Sequence, residues 1–208
     1  MRITNQDIEK YIYAQLPKRD AVVTEMERYA AKHKVPIIGP AVARMISLFV
    51  ELTGARRIFE MGSAIGYSTL WIARAAGRDA EIFYTDGDPK NAERARGSFE
   101  RAGVADRIKI QVGDALDLLR QIPGEFDIIF NDVNKDQYPA VFKLAVPRVR
   151  RGGLFITDNT LWSGRVTKKS SNAFTRGVQE FNRLVRNSSE LFPVLVPLRD
   201  GVTICRKL

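Results

Sequence analysis

Short apolar runs alternate with amphipathic stretches along most of the chain after residue 54. Such runs predict buried strands, and strands that alternate with helices favour a mostly parallel sheet with helices on both faces. The last two runs are joined by Arg199-Asp200-Gly201, a sequence typical of an antiparallel hairpin. The pattern predicts an α/β fold with seven strands, at 57–62, 81–86, 107–113, 126–132, 153–159, 191–198 and 201–208.

The N-terminal part of the chain is predicted to be helical. In its third helix, apolar side chains recur at helical spacing and Gly54 closes the helix. We predict that this face packs in the core, with a substrate wall or a subunit contact as the alternative. The sequence has neither repeats nor linkers. We therefore predict a single domain over 1–208, with helical segments at 1–54 and a sheet at 55–208. The apolar side chains that recur at helical spacing in the third helix are Val42, Met45, Ile46, Phe49 and Val50.

Composition narrows the class of protein. A chain of 208 residues with 45% hydrophobic residues can bury the core of one globular domain. Its start lacks signal-peptide features and no stretch approaches the roughly 20 apolar residues that cross a membrane, so we expect a cytoplasmic protein. The single cysteine, Cys205, excludes a thiolate zinc cluster and is predicted to be a buried strand residue. The single histidine, His33, excludes a histidine-rich metal site and is predicted to be exposed.

Positive charge is concentrated in the last third of the chain. Residues 1–134 contain 19 Lys or Arg and 19 Asp or Glu, so the net charge of +9 arises entirely after them. This excess favours either an anionic partner or a solvated surface that keeps the protein soluble. Arg148, Arg150 and Arg151 are predicted at a helix end, where cations interact favourably with the helix dipole.

A glycine-containing turn predicts a ligand site. The segment EMGSAIGYS (60–68) follows a predicted strand and opens a helix, so its backbone can pass close to a ligand. Ala64 stands where a dinucleotide fingerprint has its middle glycine, which disfavours a pyrophosphate. Asp86 ends the next strand, where it could accept both ribose hydroxyls of NAD or of S-adenosylmethionine (SAM). Asp114 and the adjacent Ala115 could reach the adenine, although Asp114 also suits the cap of the following helix.

Two further strand ends carry Asp132 and the pair Asp158-Asn159. Taken singly, such residues commonly form caps and turns, and a lysine such as Lys135 is usually solvated. Together at the carboxyl ends of neighbouring strands, two carboxylates and an amide oxygen would form a cluster of hard oxygen donors. Such a cluster suits Mg²⁺, Mn²⁺ or Ca²⁺ rather than zinc or copper.

Five motifs carry a resemblance to a known family. They are PIIGP (36–40), E-x-G-x-x-x-G-Y-S (60–68), D-x-x-K-x-x-Y (132–138), DNTLWSGRV (158–166) and DGVTICR (200–206). With these motifs, the chain resembles the cation-dependent O-methyltransferases related to catechol and caffeoyl-CoA O-methyltransferases, especially their small bacterial members. The resemblance covers most of the chain. It implies a Rossmann-like methyltransferase sheet, SAM as methyl donor and a divalent cation.

The resemblance also implies roles for individual residues. Lys135 would serve as the general base. The metal ligands would be Asp132, Asp158 and Asn159. The candidate contacts with SAM are Glu60, Gly62, Ser68, Asp86, Asp114, Ala115 and Asp132. Trp162 and Tyr67 are candidates to flank the acceptor or the cofactor, with core packing as the alternative. The implied acceptor is a vicinal-diol aromatic of the catechol or caffeoyl type, and relatives are often homodimers.

Three alternatives stay open at this point. The basic part of the chain could dock tRNA and deliver the hydroxyl of a modified uridine, although no RNA-binding module is recognisable. The glycine turn and Asp86 also suit an NAD-dependent oxidoreductase, and the fold could belong to a binding protein without catalysis. The polar stretch at 167–172 is predicted to be a loop that either closes over the acceptor or only covers the surface.

Overall fold

Seven strands form the centre of the structure, a computed structural model that describes residue 3 and residues 5–208. The strands are β1 (Arg57–Met61), β2 (Glu81–Asp86), β3 (Ile108–Val112), β4 (Phe126–Asn131), β5 (Val149–Thr157), β6 (Leu191–Val196) and β7 (Val202–Lys207). They form one sheet in the order β3-β2-β1-β4-β5-β7-β6. Strands β1 to β5 pair in parallel, whereas β7 is antiparallel to β5 and β6. The predicted sheet with an antiparallel C-terminal hairpin is confirmed.

Helices cover both faces of this sheet. In chain order they are α1 (Gln6–Ala14), α2 (Ala21–His33), α3 (Gly39–Thr53), α4 (Tyr67–Ala75), α5 (Pro89–Arg101), α6 (Ala115–Gln121), α7 (Tyr138–Ala145) and α8 (Ala173–Asn187). The neighbouring residues Ile58 and Phe59 of β1 belong to two different buried clusters, because successive strand residues point to opposite faces. Helices α2 to α5 contribute to the cluster of Ile58, and α6 to α8 to that of Phe59.

The N-terminal helices pack on the sheet. Val23 of α2 belongs to the same buried cluster as Ile58, and the predicted apolar face of α3 lies in or against that cluster, as expected for core. Tyr67 is a core residue as well. Its side chain is 1% exposed, and its hydroxyl donates a hydrogen bond of 2.7 Å to Oε1 of Glu27 in α2. Residues 1, 2 and 4 of the predicted helical segment lie outside the described residues.

The predicted positions of Cys205 and His33 are confirmed. Cys205 lies buried in β7, and burial raises the pKa of its thiol to about 12. His33 is exposed at the end of α2, where its ring stacks on Tyr29 with the ring centroids 4.2 Å apart. Along the described part of the chain, no helix combines the length and apolar character needed to cross a membrane.

Strand β5 begins at Val149 rather than at residue 153. Arg150 and Arg151 therefore lie in a strand, and their predicted place at a helix end is wrong. The register between β4 and β5 shifts before Leu154. Gly153 permits this shift, because a Cβ there would lie 2.6 Å from a backbone oxygen of β4. Two charged residues followed by glycines do not resemble a buried strand in sequence. The start of β5 could therefore not be predicted from the apolar pattern.

Arg148 ends a short 3₁₀ turn that precedes β5. Its guanidinium donates hydrogen bonds to the backbone oxygens of Leu119 at 2.9 Å and Gly124 at 2.8 Å, and also to that of Ile122. The side chain therefore ties the end of α6 to the sheet.

The predicted loop at 167–172 is shorter in the structure. A 3₁₀ segment over Trp162–Thr167 includes its first residue, and Asn172 caps α8 by accepting the backbone N–H of Thr175 at 3.1 Å. Closure of the remaining residues over an acceptor stays a prediction.

Gly177 lets α8 pack directly on the backbone that carries Lys135. A Cβ at Gly177 would lie 2.2 Å from the Lys135 backbone oxygen, so Gly177→Ala should lower the free energy of unfolding by about 1–3 kcal/mol despite the better helix propensity of alanine. Gly97→Ala in α5 is the matched control, because its Cβ would meet only the Arg101 side chain at 3.7 Å. The free energy of unfolding of Gly97→Ala should rise by up to about 1 kcal/mol. Urea unfolding of both variants measures the difference, and equal shifts in the same direction would contradict it.

Candidate active site

A cavity of about 780 Å³ opens at the carboxyl ends of the parallel strands. Open α/β sheets bind ligands at this edge. The predicted site residues that line it are Gly62, Asp86, Asp114, Ala115, Asp132, Lys135, Asn159 and Trp162. Glu60, Ser68 and Asp158 are buried and are not among the lining residues. The structure therefore brings most of the predicted set together around one space.

The glycine turn after β1 is shaped by close contacts. Gly62 has φ +83°, and a Cβ there would lie 2.8 Å from the backbone oxygen of Asp132. Gly66 has φ +80°, and a Cβ there would lie 2.5 Å from the ring of Phe99. Any side chain at these two positions would push the turn away from the sheet or from α5. The turn consequently leaves its backbone facing the cavity.

Asp86 holds this turn from the end of β2. Its Oδ2 accepts the backbone N–H of Ala64 at 2.9 Å, while Oδ1 accepts the N–H of Asp88 at 2.9 Å and the side chain of Asn91 at 3.0 Å. A carboxylate has about four acceptor positions, so these bonds leave capacity for a ligand hydroxyl.

Asp114 forms the predicted helix cap and also lines the cavity. It caps α6, because its Oδ1 accepts the N–H groups of Leu116 at 2.9 Å and Asp117 at 3.1 Å. It also lines the cavity, where Oδ2 accepts a hydrogen bond from Gln137 at 3.3 Å. The cap fixes the carboxylate beside the cavity.

Glu60 is fully buried beneath the glycine turn. The Thr69 hydroxyl donates to its Oε2, whereas Oε1 has no hydrogen-bond partner within the described chain. Burial raises the pKa of Glu60 to about 7, and the hydroxyls of Ser68 and Thr69 only partly offset this. A carboxyl group held in this way is protonated over part of the neutral pH range.

The raised pKa of Glu60 predicts a pH-dependent stability. Between its ordinary pKa of 4.5 and about 7, the folded protein keeps a proton that the unfolded chain loses, so stability falls as pH rises through this window. For this group alone the loss is about 3 kcal/mol. In Glu60→Gln the free energy of unfolding should depend less on pH between 4.5 and about 7. Glu93→Gln, at an exposed position of α5, should keep the pH dependence of the wild type. Denaturant unfolding from pH 4 to pH 8 measures both, and an unchanged slope in Glu60→Gln would exclude Glu60 as its source.

Two carboxylates meet where β4 and β5 end. Asp132 follows β4, and the Lys135 ammonium donates to its Oδ1 at 2.7 Å and to the Val133 backbone oxygen at 3.2 Å. Asp158 follows β5 and is fully buried, and its backbone oxygen accepts the Tyr138 hydroxyl at 2.7 Å. Burial, followed by the charge of Asp132, raises the pKa of Asp158, and burial also raises the pKa of Asp132.

The donor atoms at this point fit a hard divalent cation. Asp158 Oδ1 is buried and has no hydrogen-bond partner in the described chain, and Asn159 lines the same cavity as Asp132. Within residues 3 and 5–208 no cluster of three or more His, Cys, Asp or Glu side chains is arranged to hold a metal. The candidate set is therefore two carboxylates and one amide, with room in the cavity for further oxygen ligands.

Several cavity residues were missed by the sequence interpretation. Arg199 lines the cavity, and its Nη1 lies 3.4 Å from Oδ2 of Asp158. Phe174 forms an aromatic pair with Trp162, with ring centroids 6.5 Å apart. Val35, Pro36 and Ile37 also line the cavity. The PIIGP motif was a signal for part of this apolar wall, whereas Arg199 was assigned only to a turn.

A family model and proteins with similar sequences identify the family of this chain. The family model described as O-methyltransferase matches residues 14–208. Catechol O-methyltransferase of Niastella koreensis is 30% identical over 187 residues, which cover 86% of this chain and 85% of that protein. The chain belongs to the O-methyltransferase family. Caffeoyl-CoA O-methyltransferase 1 of Eucalyptus globulus is 31% identical, with 92% of this chain and 84% of that protein covered.

Solved structures of this O-methyltransferase family share the fold. The O-methyltransferase from Bacillus cereus, in complex with SAH, superposes with a TM-score of 0.88 at 28% identity and 97% coverage of both chains. TomG from Streptomyces achromogenes, in complex with SAM, gives a TM-score of 0.89 at 27% identity, with 97% and 96% coverage. The family assignment selects the methyltransferase interpretation over the NAD-dependent oxidoreductase.

Proposed function

We propose that this O-methyltransferase transfers the methyl group of SAM to one hydroxyl of an aromatic vicinal diol, with a divalent cation bound by Asp132, Asp158 and Asn159. The observation that carries the proposal is the buried Asp158 Oδ1, which has no partner among the described residues and lies near the carboxylate of Asp132. Such an oxygen is costly unless a hydrogen-bond donor or a metal satisfies it. The names of the relatives, catechol and caffeoyl-CoA O-methyltransferases, support a diol acceptor.

SAM would occupy the part of the cavity bordered by the glycine turn and the ends of β2 and β3. The relatives solved with SAH and SAM support this donor. Asp86 would accept the ribose hydroxyls, and Asp114 with Ala115 would flank the adenine. Gly62 would let the backbone approach the ligand. Oε1 of Glu60 has no partner in the described part of the chain, and we propose this atom for a contact with SAM beside Ser68.

We propose that Lys135 accepts the hydroxyl proton of the acceptor. Its Nζ lies at the cavity wall, 2.7 Å from Asp132 Oδ1. In its neutral form, Nζ accepts the hydroxyl proton. The oxygen then bonds to the methyl carbon while the carbon–sulfur bond breaks, leaving a methyl ether, SAH and the Lys135 ammonium. When bound, the cation would lower the pKa of the hydroxyl and fix the position of its oxygen. Trp162 and Phe174 offer an aromatic wall for a planar acceptor.

A methylation assay tests the proposed acceptor class. The purified protein is incubated with methyl-labelled SAM and catechol, a caffeoyl ester or tRNA, each with Mg²⁺ or with EDTA. We expect label in the two diols only when Mg²⁺ is present. Label in tRNA alone would replace the acceptor class by the RNA alternative. Calorimetric titration with SAM and with NAD is the companion measurement, and binding of NAD without SAM would contradict the donor.

Three broader predictions accompany the proposal. We propose that 1–208 acts as one domain, because α2 and α3 share a buried cluster with the sheet. A cytoplasmic location and a homodimer stay predictions. For the homodimer, Leu48 and Leu52 of α3 are candidate contacts, since they are 52% and 71% exposed.

A further inference from the structure

Arg199 is held at the cavity by an unusual turn. It has φ +56°, a left-handed conformation that is uncommon for residues other than glycine. The turn is fixed on one side by the N–H of Gly201 donating to the oxygen of Leu198 at 2.9 Å. On the other side, the N–H of Leu161 donates to the oxygen of Asp200 at 2.9 Å. These bonds connect the turn to the segment after Asn159, so the guanidinium is built into the cavity wall.

The guanidinium has one ionic partner, and that partner is a candidate metal ligand. Among the described residues, Asp158 alone forms an ion pair with Arg199, at 3.4 Å. The neighbouring carboxylate of Asp200 accepts the backbone N–H of Ser163 through its Oδ1. A guanidinium carries five N–H donors, and the Arg199 side chain is 33% exposed. The ion pair with Asp158 uses Nη1, so the guanidinium has further N–H donors to offer a ligand.

We propose that Arg199 determines acceptor specificity by binding a carboxylate carried on the diol ring. The inference rests on the proposed function and adds the chemical class of the acceptor. A planar guanidinium matches a carboxylate through two parallel hydrogen bonds. The same cavity supplies the aromatic pair of Trp162 and Phe174 for the ring. An acidic diol would thus meet a stacking wall, a base and a cationic anchor in one space.

Two substrates with the same diol ring test this role: 3,4-dihydroxybenzoate, which carries a charged carboxylate, and its neutral methyl ester. In the wild type we expect kcat/KM for the acid to exceed that for the ester. In Arg199→Gln the acid-to-ester ratio should fall by about tenfold or more, the loss expected for one charged hydrogen-bonding partner. Arg199→Lys should keep part of the ratio. Arg151→Gln, at an exposed position of β5, removes the same charge elsewhere and should leave the ratio unchanged. An unchanged ratio in Arg199→Gln would overturn the proposal.

Equilibrium binding separates this inference from the proposed function. Without Arg199, Asp158 loses its ion pair and the site loses one positive charge, so Arg199→Gln should bind Mn²⁺ roughly tenfold more tightly in an electron paramagnetic resonance titration. Calorimetry of the acid and the ester with SAH and Mg²⁺ present should show the same loss of preference as the kinetics. If the wild type methylates neither compound, the proposed function fails for these diols. The role of Arg199 is then tested by calorimetry alone. An equal preference for the acid over the ester in wild type and Arg199→Gln would overturn this role.

Discussion

Asp158→Ala should lower methyl transfer by on the order of a thousandfold and remove its dependence on Mg²⁺, while SAM still binds. The variant loses one of the two carboxylates proposed to hold the cation, whereas the glycine turn and Asp86 are untouched. The fold should survive, because among the described residues the Asp158 side chain makes one ion pair, at 3.4 Å with the partly exposed Arg199, and its other oxygen is buried without a partner. The rate is measured with a catechol and excess Mg²⁺, and SAM affinity by calorimetry.

The control for this variant is Asp136→Ala. Asp136 is exposed in the 3₁₀ turn that follows Asp132, so its loss removes the same charge close by without touching the candidate ligands. It should keep nearly full activity and the full response to Mg²⁺. If Asp158→Ala retained Mg²⁺-dependent turnover equal to that of the control, Asp158 would not be a ligand.

Lys135→Ala should lower the rate at neutral pH by about a hundredfold or more, with partial recovery at high pH. The variant lacks the group proposed to accept the hydroxyl proton. At high pH the acceptor ionises without help, so the defect should shrink. Mn²⁺ affinity should not weaken, because the Lys135 ammonium competes with a cation for Asp132 Oδ1. A rate profile from pH 6 to pH 10 gives the comparison.

Lys143→Ala is the matched control for the proton-transfer role. Lys143 is exposed on α7, and its removal changes net charge by the same amount. Its pH profile should follow that of the wild type. An unchanged rate in Lys135→Ala at neutral pH would remove Lys135 as the base.

The convergence of the acidic residues was predictable from sequence. Asp86, Asp132 and Asp158 each come at or directly after the end of a strand read from its apolar pattern. In a parallel sheet those ends share one edge, so the three carboxylates had to lie along the same edge. Only β4 and β5 are neighbours, which brings Asp132 and Asp158 closest together. The structure confirms that Asp86 and Asp132 line one cavity, and it places Asp158 buried behind the lining residues Asn159 and Arg199. The burial of Asp158 and its unpaired oxygen depend on packing, which no local pattern encodes.

The position of the Arg199 side chain at the cavity could not be predicted from the sequence. The apolar runs on either side predicted the hairpin, and Gly201 suited its turn. That the turn docks against Leu161 and points the guanidinium at Asp158 depends on long-range hydrogen bonds. Tyr67 is a similar case, because an aromatic residue after the glycine turn suits a ligand wall or the core equally. Its burial and its hydrogen bond to Glu27 decide for the core.

The most direct measurement is the rate of labelled methyl transfer from SAM to a catechol by the wild-type protein, first in excess EDTA and then during readdition of Mg²⁺. We expect background turnover in EDTA and a saturable recovery as Mg²⁺ is restored, with the methyl group on a hydroxyl oxygen of the diol. Full turnover in excess EDTA would contradict the cation site formed by Asp132, Asp158 and Asn159.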